Sequence, residues 1–206
     1  MKRKQNKKGL LLIVTGLLLV AAALLITAFN LYEAQRAAQA ARAVLQELPE
    51  QMLDPEQTAS GAGNITPDYL LNPNMDMPAI EVDGHDYIGV LTIPSLGLEL
   101  PVMSEWSYPN LKIAPCRYSG SAYLDNMVIA AHNYTRQFGQ LQNLLGGEAV
   151  IFTDTDGNVF AYEVSQVETL ASTDVQEITD SSWDLTLFTC TLSGTNRITV
   201  RCSRLV

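Results

Sequence analysis

Residues 185–204 read LTLFTCTLSGTNRITVRCSR, which is two short apolar runs on either side of a polar loop. The first run is rich in Leu, Phe and Thr, and the second alternates polar and apolar residues, as β-strands do. The loop from Thr191 to Asn196 carries Ser, Gly, Thr and Asn, which favour turns. The segment therefore predicts two antiparallel strands that place Cys190 and Arg197 at their loop end.

The same pattern extends over residues 87–206. Further runs of strand length and composition are YIGVLTIP (87–94), LELPVM (98–103), MVIAAH (127–132), EAVIFTD (148–154) and VFAYEVSQVETL (159–170). The sequence DTDGN at 154–158 predicts a hairpin turn, and residues 107–113 and 138–145 are predicted as short helices. So many strands in one short region are most simply closed into a barrel, which leaves no exposed edge. We therefore predict an all-β domain.

The N-terminal segment predicts a membrane anchor. No charged residue occurs in residues 9–32, and the apolar run 10–29 is long enough to cross a bilayer core of roughly 30 Å as a helix. Five basic residues lie within residues 1–8, so the positive-inside rule places that tail in the cytoplasm and the rest of the chain outside. A cleaved signal peptide is the alternative, and the length of the apolar run disfavours it. Either way the domain is exported.

Residues 33–86 are predicted as a helical stalk followed by a linker. Residues 33–48 consist largely of strong helix formers, and Pro49 is expected to end the helix. Five prolines and the sequence SGAG are spread over residues 49–86, which predicts an extended tether. A lid over the following domain is the alternative interpretation of this segment.

The charge and the motifs that are missing exclude several classes of function. Five of the 13 Lys and Arg precede the apolar run, so the exported part is strongly acidic against 22 Asp and Glu. Nucleic acid is therefore not expected as a partner, because phosphate binding needs clustered basic residues. The sequence contains no CxxC, HxH or HExxH, no GxSxG and no glycine-rich phosphate loop. We predict no metal site.

Three cysteines, Cys116, Cys190 and Cys202, leave at least one thiol unpaired within the chain. A free thiol is unusual in an exported domain, so a catalytic role is the natural hypothesis. Cys190 is the candidate because it ends an apolar strand at a loop. Since a free thiol has a pKa of about 8.5, a nucleophilic cysteine needs a base or a cation nearby.

His132 and Arg197 can supply those groups. His132 closes the apolar strand 127–131 at a second junction of strand and loop, as a proton-transfer residue would. Arg197 opens the strand after the Cys190 loop, where its guanidinium could stabilise a thiolate or an oxyanion. Arg201 is on the same face of that strand but roughly 13 Å further along, so Arg197 is preferred.

The other candidates are interpreted as structural. Cys202 shares the apolar face of its strand with Ile198 and Val200, so we predict that it is a core residue. Cys116 could be inert, partly exposed or paired with Cys202, and these alternatives stay open. His85 is predicted as a solvated surface histidine at the end of the linker.

The segment 185–204 resembles the signature of the sortase family, in which a strand ending in Thr and the catalytic Cys is followed by a short loop and a strand that starts with the catalytic Arg. Residues 128–154 are similar to the sortase histidine region, and residues 88–102 resemble the opening strands of the family. The matching positions of the histidine region are His132, Phe138, Leu141, Gly147 and Glu148. Many members have Gly-His-Arg where this chain has Ala-His-Asn, which leaves the subclass open.

The resemblance implies a closed sortase-type β-barrel of about eight strands, with short helices. It also implies a cysteine transpeptidase of Gram-positive bacteria that cleaves an LPxTG-like sorting signal of surface proteins or pilins after its Thr. Cys190 would form the acyl-enzyme, His132 would transfer protons, Arg197 would hold the oxyanion or the substrate backbone, and Thr189 would help to bind substrate. The acceptor would be an amine of a cell-wall precursor or a pilin lysine.

Two alternatives remain. One is a catalytically silent, surface-anchored β-domain that binds a protein or wall partner, with Cys190 buried. The other is a cysteine hydrolase that uses the same thiol and histidine but releases an acid. The resemblance implies no cofactor, and the acidic residues identify no calcium site.

Overall fold

The first described residues form one long helix. The computed structural model describes residues 7–51, 66–180 and 182–205. Helix α1, Lys7–Gln51, has 45 residues and is therefore about 68 Å long. By length and composition its apolar part could cross a membrane. The helix extends two residues past Pro49, where the sequence predicts its end; a difference of this size is common at helix ends.

The rest of the described chain is built around one closed sheet. Its nine strands are β1 Ile80–Val82, β2 His85–Ile93, β3 Leu98–Met103, β4 Cys116–Ser119, β5 Met127–Ala130, β6 Ala149–Asp154, β7 Val159–Ala171, β8 Leu185–Cys190 and β9 Asn196–Arg204. Their order is β1-β2-β3-β4-β5-β8-β9-β7-β6, and β2 also pairs with β6. Strands β2 to β9 therefore close into an eight-stranded barrel, and the predicted fold class is confirmed.

Short helices precede or connect the strands. They are α2 Asp68–Leu71, α3 Tyr108–Leu111 and α4 Val175–Ile178, with 3-10 turns at Pro94–Leu96, Ala122–Leu124 and Phe138–Asn143. Ser107 caps the N-terminus of α3, since its hydroxyl accepts a hydrogen bond from the Asn110 N–H, and the helix has Pro109 in its first turn. Both short helices expected from the sequence are therefore present, the second as a 3-10 helix.

The barrel has an apolar interior and a second apolar layer outside. Phe152, Phe160, Leu187 and Val200 belong to one cluster that receives residues from strands all around the barrel. The second cluster joins alternate strand residues to α1. The residues of α1 that are buried there or nearby, Ala37, Ala41, Val44 and Leu48, are spaced three or four apart and form one stripe. The stalk therefore packs on the barrel wall.

The folded domain begins before residue 87, the boundary expected from the sequence. Strand β1 forms a hairpin with β2 through Asp83 and Gly84, which both have positive φ. Asp-Gly is a favoured pair for such two-residue turns, and this signal lies in the segment assigned to the linker. Tyr69 also stacks on Tyr123 with ring centroids 4.7 Å apart. The part of the expected linker between residues 66 and 86 is thus folded, while residues 52–65 lie outside the described chain.

Candidate active site

The open end of the β8–β9 pair brings two predicted residues together. Cys190 is the last residue of β8, Arg197 is the second residue of β9, and the two are direct partners in the antiparallel register. The loop between them is closed by a hydrogen bond from the Thr191 N–H to the Asn196 carbonyl, at 3.0 Å. Cys190 is partly exposed and its thiol is free. The thiol and the guanidinium therefore belong to the same rim of the barrel.

His132 reaches this rim because β5 runs parallel to β8. Ala130 pairs with Phe188, and the alignment continues past the strand, since the Thr189 hydroxyl donates to the Ala131 carbonyl at 2.8 Å. His132 is the next residue after Ala131. The chain therefore carries His132 alongside the last residues of β8, where Cys190 lies.

The backbone of His132 is held on both sides. Its N–H donates to Oε1 of Gln137 at 3.2 Å, and its carbonyl accepts from the Phe138 N–H at 3.1 Å. Gln137 is only 1% exposed. Gly139 lets this turn fold tightly, because a Cβ there would lie 2.5 Å from the Asn133 carbonyl oxygen. The sequence interpretation missed Gln137 and Gly139, although a glycine inside a predicted helix can mark a position of tight packing.

The imidazole of His132 is partly buried and stacks on Tyr134, with ring centroids 4.8 Å apart. Burial lowers the pKa of His132 below its ordinary value, and the positive charge of Lys112 lowers it further. At neutral pH the side chain is therefore mainly a neutral imidazole, which can accept a proton.

The four residues predicted for the site, Cys190, His132, Arg197 and Thr189, line one cavity of about 220 Å³. One wall consists of a row of four aromatic rings with neighbouring centroids 5.1 to 5.4 Å apart, in the order Tyr108, Trp106, Tyr118 and Phe188. Val175 and Ile178 from α4 also line the cavity. A larger groove of about 540 Å³ lies between α1 and the barrel, but it contains none of the four residues.

Arg197 keeps most of its hydrogen-bonding capacity free for a ligand. Its Nη1 donates to the carbonyls of Gly194 and Asn196, both at 3.0 Å. Within the described chain its Nε and Nη2 make no hydrogen bond. The loop therefore holds one edge of the guanidinium in place, and the remaining N–H groups can bind an anionic or carbonyl oxygen.

A family model of the sortase domain matches residues 91–205, which is more than half of the chain. The chain belongs to the sortase family. Membership implies a cysteine transpeptidase, and the matched region includes every residue of the site described above. A search of the curated proteins gives no match.

Solved sortase structures resemble this one. Sortase C1 from Streptococcus suis is 27% identical with a TM-score of 0.52, over 59% of this chain and 74% of that chain. Sortase E from Streptomyces avermitilis is 27% identical with a TM-score of 0.50, over 58% of this chain and 88% of that chain. Sortase C from Clostridium perfringens, solved with the C-terminal cell wall sorting motif, is 23% identical with a TM-score of 0.53, over 79% and 88%. The likeness extends over classes A, C and E, so it leaves the subclass of this sortase open.

Arg201, the alternative to Arg197, makes its hydrogen bonds outside the active-site cavity of this sortase. It is 1% exposed, and its Nε donates to Glu168 at 2.7 Å. Its Nη1 donates to the Ile178 carbonyl at 3.0 Å and to the Thr186 hydroxyl at 3.1 Å. Arg201 does not line the cavity.

The remaining cysteines are buried and free. Cys202 lies in the barrel interior, as the alternation of β9 predicts, and Cys116 lies in the outer cluster. Burial raises the pKa of each thiol to about 12. The two do not form the disulfide that was one alternative for Cys116. His85 begins β2 and lines the groove beside α1, away from the cavity.

No group of three or more His, Cys, Asp or Glu in the described part of the chain could hold a metal ion. That the reaction needs no cofactor stays a prediction. The described residues of the expected linker, 66–86, do not line the cavity, so the structure gives the lid hypothesis no support there.

Proposed function

We propose that this sortase is a membrane-anchored transpeptidase that cleaves an LPxTG-like sorting signal and joins the new acyl end to an amine. The observation that carries the proposal is the shared cavity: Cys190 and Arg197 are cross-strand partners at its rim, and His132 lines the same space. A nucleophile, a base and a cation in one cavity are the groups that acyl transfer requires.

The first half-reaction makes a thioester. The neutral imidazole of His132 accepts the thiol proton as the sulfur of Cys190 attacks the carbonyl carbon of the Thr in the signal. The free N–H groups of Arg197 stabilise the oxyanion that develops. When the tetrahedral intermediate collapses, His132 returns the proton to the leaving amine of the Gly, and the acyl group stays on Cys190.

The second half-reaction transfers the acyl group. An incoming amine attacks the thioester carbonyl, and His132 takes the proton that the amine loses. The thiolate of Cys190 leaves, is reprotonated, and the product is a new amide. The proposed acceptors are an amine of a cell-wall precursor and a pilin lysine.

The lining of the cavity supports a short apolar peptide as the substrate. Its aromatic wall and the α4 side chains can bury the Leu and Pro of an LPxTG-like signal. The Thr189 hydroxyl donates to Ala131 but keeps lone pairs that can accept an N–H from the peptide backbone. The Clostridium perfringens sortase C structure with the C-terminal cell wall sorting motif is consistent with such a ligand.

The proposed topology follows the predicted charge asymmetry. Residues 1–8 lie in the cytoplasm, residues 9–32 cross the membrane once, and the barrel faces the outside, where its surface-protein or pilin substrates are. Helix α1 is compatible with this arrangement.

The test uses the full chain in detergent micelles, incubated with a panel of LPxTG-type peptides with and without an amine acceptor. Intact-mass analysis should detect a thioester adduct that disappears faster when amine is present, together with the joined product. Cys190→Ala should form no adduct, and His132→Ala should lose turnover, by about 10²-fold or more.

Two outcomes would contradict the proposal. An adduct that gives only the free acid, whatever the amine, would identify a cysteine hydrolase. No adduct with any peptide, together with a Cys190 that resists alkylation, would favour a binding domain without catalytic activity.

A further inference from the structure

The segment between β7 and β8 forms one wall of the active-site cavity. Ser172, Val175 and Ile178 from this segment line the cavity. Its helix, α4, has only four residues. A helix this short is not stable by itself in water, so other parts of the molecule must hold it in place.

Arg201 makes that connection. Its Nη1 donates to the Ile178 carbonyl at 3.0 Å, and its Nη2 donates to the Glu177 carbonyl. The same guanidinium is anchored by Glu168 of β7 at 2.7 Å and by the Thr186 hydroxyl of β8 at 3.1 Å. One buried side chain therefore ties the last turn of α4 to three strands of the barrel.

The chemistry of a helix end explains why an arginine suits this position. The last carbonyls of a helix have no partner within the helix, and a cation near them is favourable. The Ile178 carbonyl is one of these, and the Glu177 carbonyl accepts from Arg201 in addition to the Asp180 N–H at 3.3 Å. The planar fork of a guanidinium can bond both of them and a carboxylate at once, whereas an ammonium group on a lysine is a compact point charge that cannot span them.

We propose that Arg201 is a positioning residue that fixes the α4 wall of the cavity and thereby sets the affinity for the apolar part of the sorting signal. It acts through Val175 and Ile178 and does not touch the reacting atoms. The inference rests on the proposed function for the identity of the substrate. The hold of Arg201 on α4 can be tested without it.

The test compares Arg201→Lys with Arg204→Lys in the full chain in micelles. Arg204 is a matched control because it lies on the same strand and pairs with Asp125, and it does not line the cavity. Hydrogen exchange of the amides of Ile178 and Thr179 should become about tenfold faster in Arg201→Lys and stay unchanged in Arg204→Lys. Both amides are hydrogen-bonded within α4, to Asp174 and Val175.

The kinetic measurement separates positioning from catalysis. With an LPxTG-type peptide, Arg201→Lys should raise KM about tenfold and leave kcat within about twofold. The rate of alkylation of Cys190 by iodoacetamide should not change, because the thiol and its neighbours remain in place. Arg204→Lys should leave all three quantities as in the wild type.

Unchanged exchange at Ile178 and Thr179 in Arg201→Lys would overturn the inference, and so would a loss that falls on kcat with KM unchanged. If Arg201→Lys fails to fold, Glu168→Gln supplies the test, since it weakens one anchor of the guanidinium and should change the same amides and KM in the same direction but less. A wild type that forms no acyl-enzyme would refute the proposed function, whereas the exchange experiment would still decide whether Arg201 holds α4.

Discussion

The two ends of the β8–β9 pair carry the same residue types in opposite environments. At the loop end Cys190 is the partner of Arg197, and at the other end Thr186 and Leu185 are the partners of Arg201 and Cys202. Each end thus has one cysteine and one arginine. At the loop end both side chains are partly exposed and line a cavity, while Arg201 and Cys202 are 1% and 0% exposed.

The difference shows that position along a strand decides what a reactive residue type can do. The loop end is open because β8 stops at Cys190 and the turn that follows covers only one edge of Arg197. The other end is closed by the barrel interior on one face and by α4 on the other. A thiol in the interior is a small apolar side chain, and an arginine under α4 is a structural ligand of backbone carbonyls.

Thiol reactivity should give the largest contrast between the two ends. In the folded protein iodoacetamide should modify Cys190 alone, and the rate for Cys116 and Cys202 should be lower by a factor on the order of 10³ or more, because buried thiols react only after the structure opens. The raised pKa of both buried thiols acts in the same direction. Intact mass against time measures the rates.

Urea supplies the control, since all three cysteines of the unfolded chain should react. Cys190→Ala should remain unmodified when folded. Rapid modification of Cys202 in the native protein would mean that the end of the pair at Arg201 and Cys202 is accessible to solvent.

The second prediction tests whether Arg197, and not Arg201, is the catalytic arginine. Arg197→Lys should lower kcat/KM by about 10² to 10³, because an ammonium group cannot keep the loop contacts and also stabilise the oxyanion. Its free energy of unfolding should change by less than about 0.5 kcal/mol, since the side chain is partly exposed. Peptide kinetics and urea unfolding measure the two quantities.

Arg204→Lys, on the same strand, is the control for both measurements and should retain wild-type activity. Near-normal turnover in Arg197→Lys, combined with an inactive Arg201→Lys whose α4 remains in place, would transfer the catalytic assignment to Arg201.

Much of the fold follows from local sequence, because most strands are long apolar runs with clear turns. The two strands that the sequence interpretation missed are short: β1 has three residues, and β4 has four. Strand β4 meets β3 through a single pair, Met103 with Cys116, and no periodicity can reveal such a contact. The docking of α1 was also missed, although Ala37, Ala41, Val44 and Leu48 form a stripe that could have indicated it.

The predicted site residues were accessible to sequence reasoning because they lie at strand ends, where register alone brings them together. The cavity itself could not be predicted from the sequence. Trp106 and Tyr118 come from either side of α3, and Ile178 comes from another connection, so their meeting depends on how these segments pack. Gln137 was equally hidden, because its contact with His132 depends on the fold of one turn.

The smallest expected effect concerns His132, the third group at the open end. Its pKa is lowered by burial and by Lys112 from an ordinary value of 6.5. Between the lowered pKa and 6.5 the unfolded chain binds more protons than the native protein, so the free energy of unfolding falls as the pH decreases through this window. Above it the residue is neutral in both states and contributes no such penalty.

As the pH decreases from about 8 to about 5, the free energy of unfolding should therefore fall less for His132→Gln than for the wild type. Urea unfolding followed by the fluorescence of Trp106 and Trp183 reports on the barrel, because α1 has no tryptophan. If the wild type and His132→Gln instead differ by the same free energy at every pH, His132 is as well solvated in the folded protein as in the unfolded chain. The cavity around it would then be open to water, and the contrast between the two ends of the β8–β9 pair would reflect a fully solvated site against a buried one.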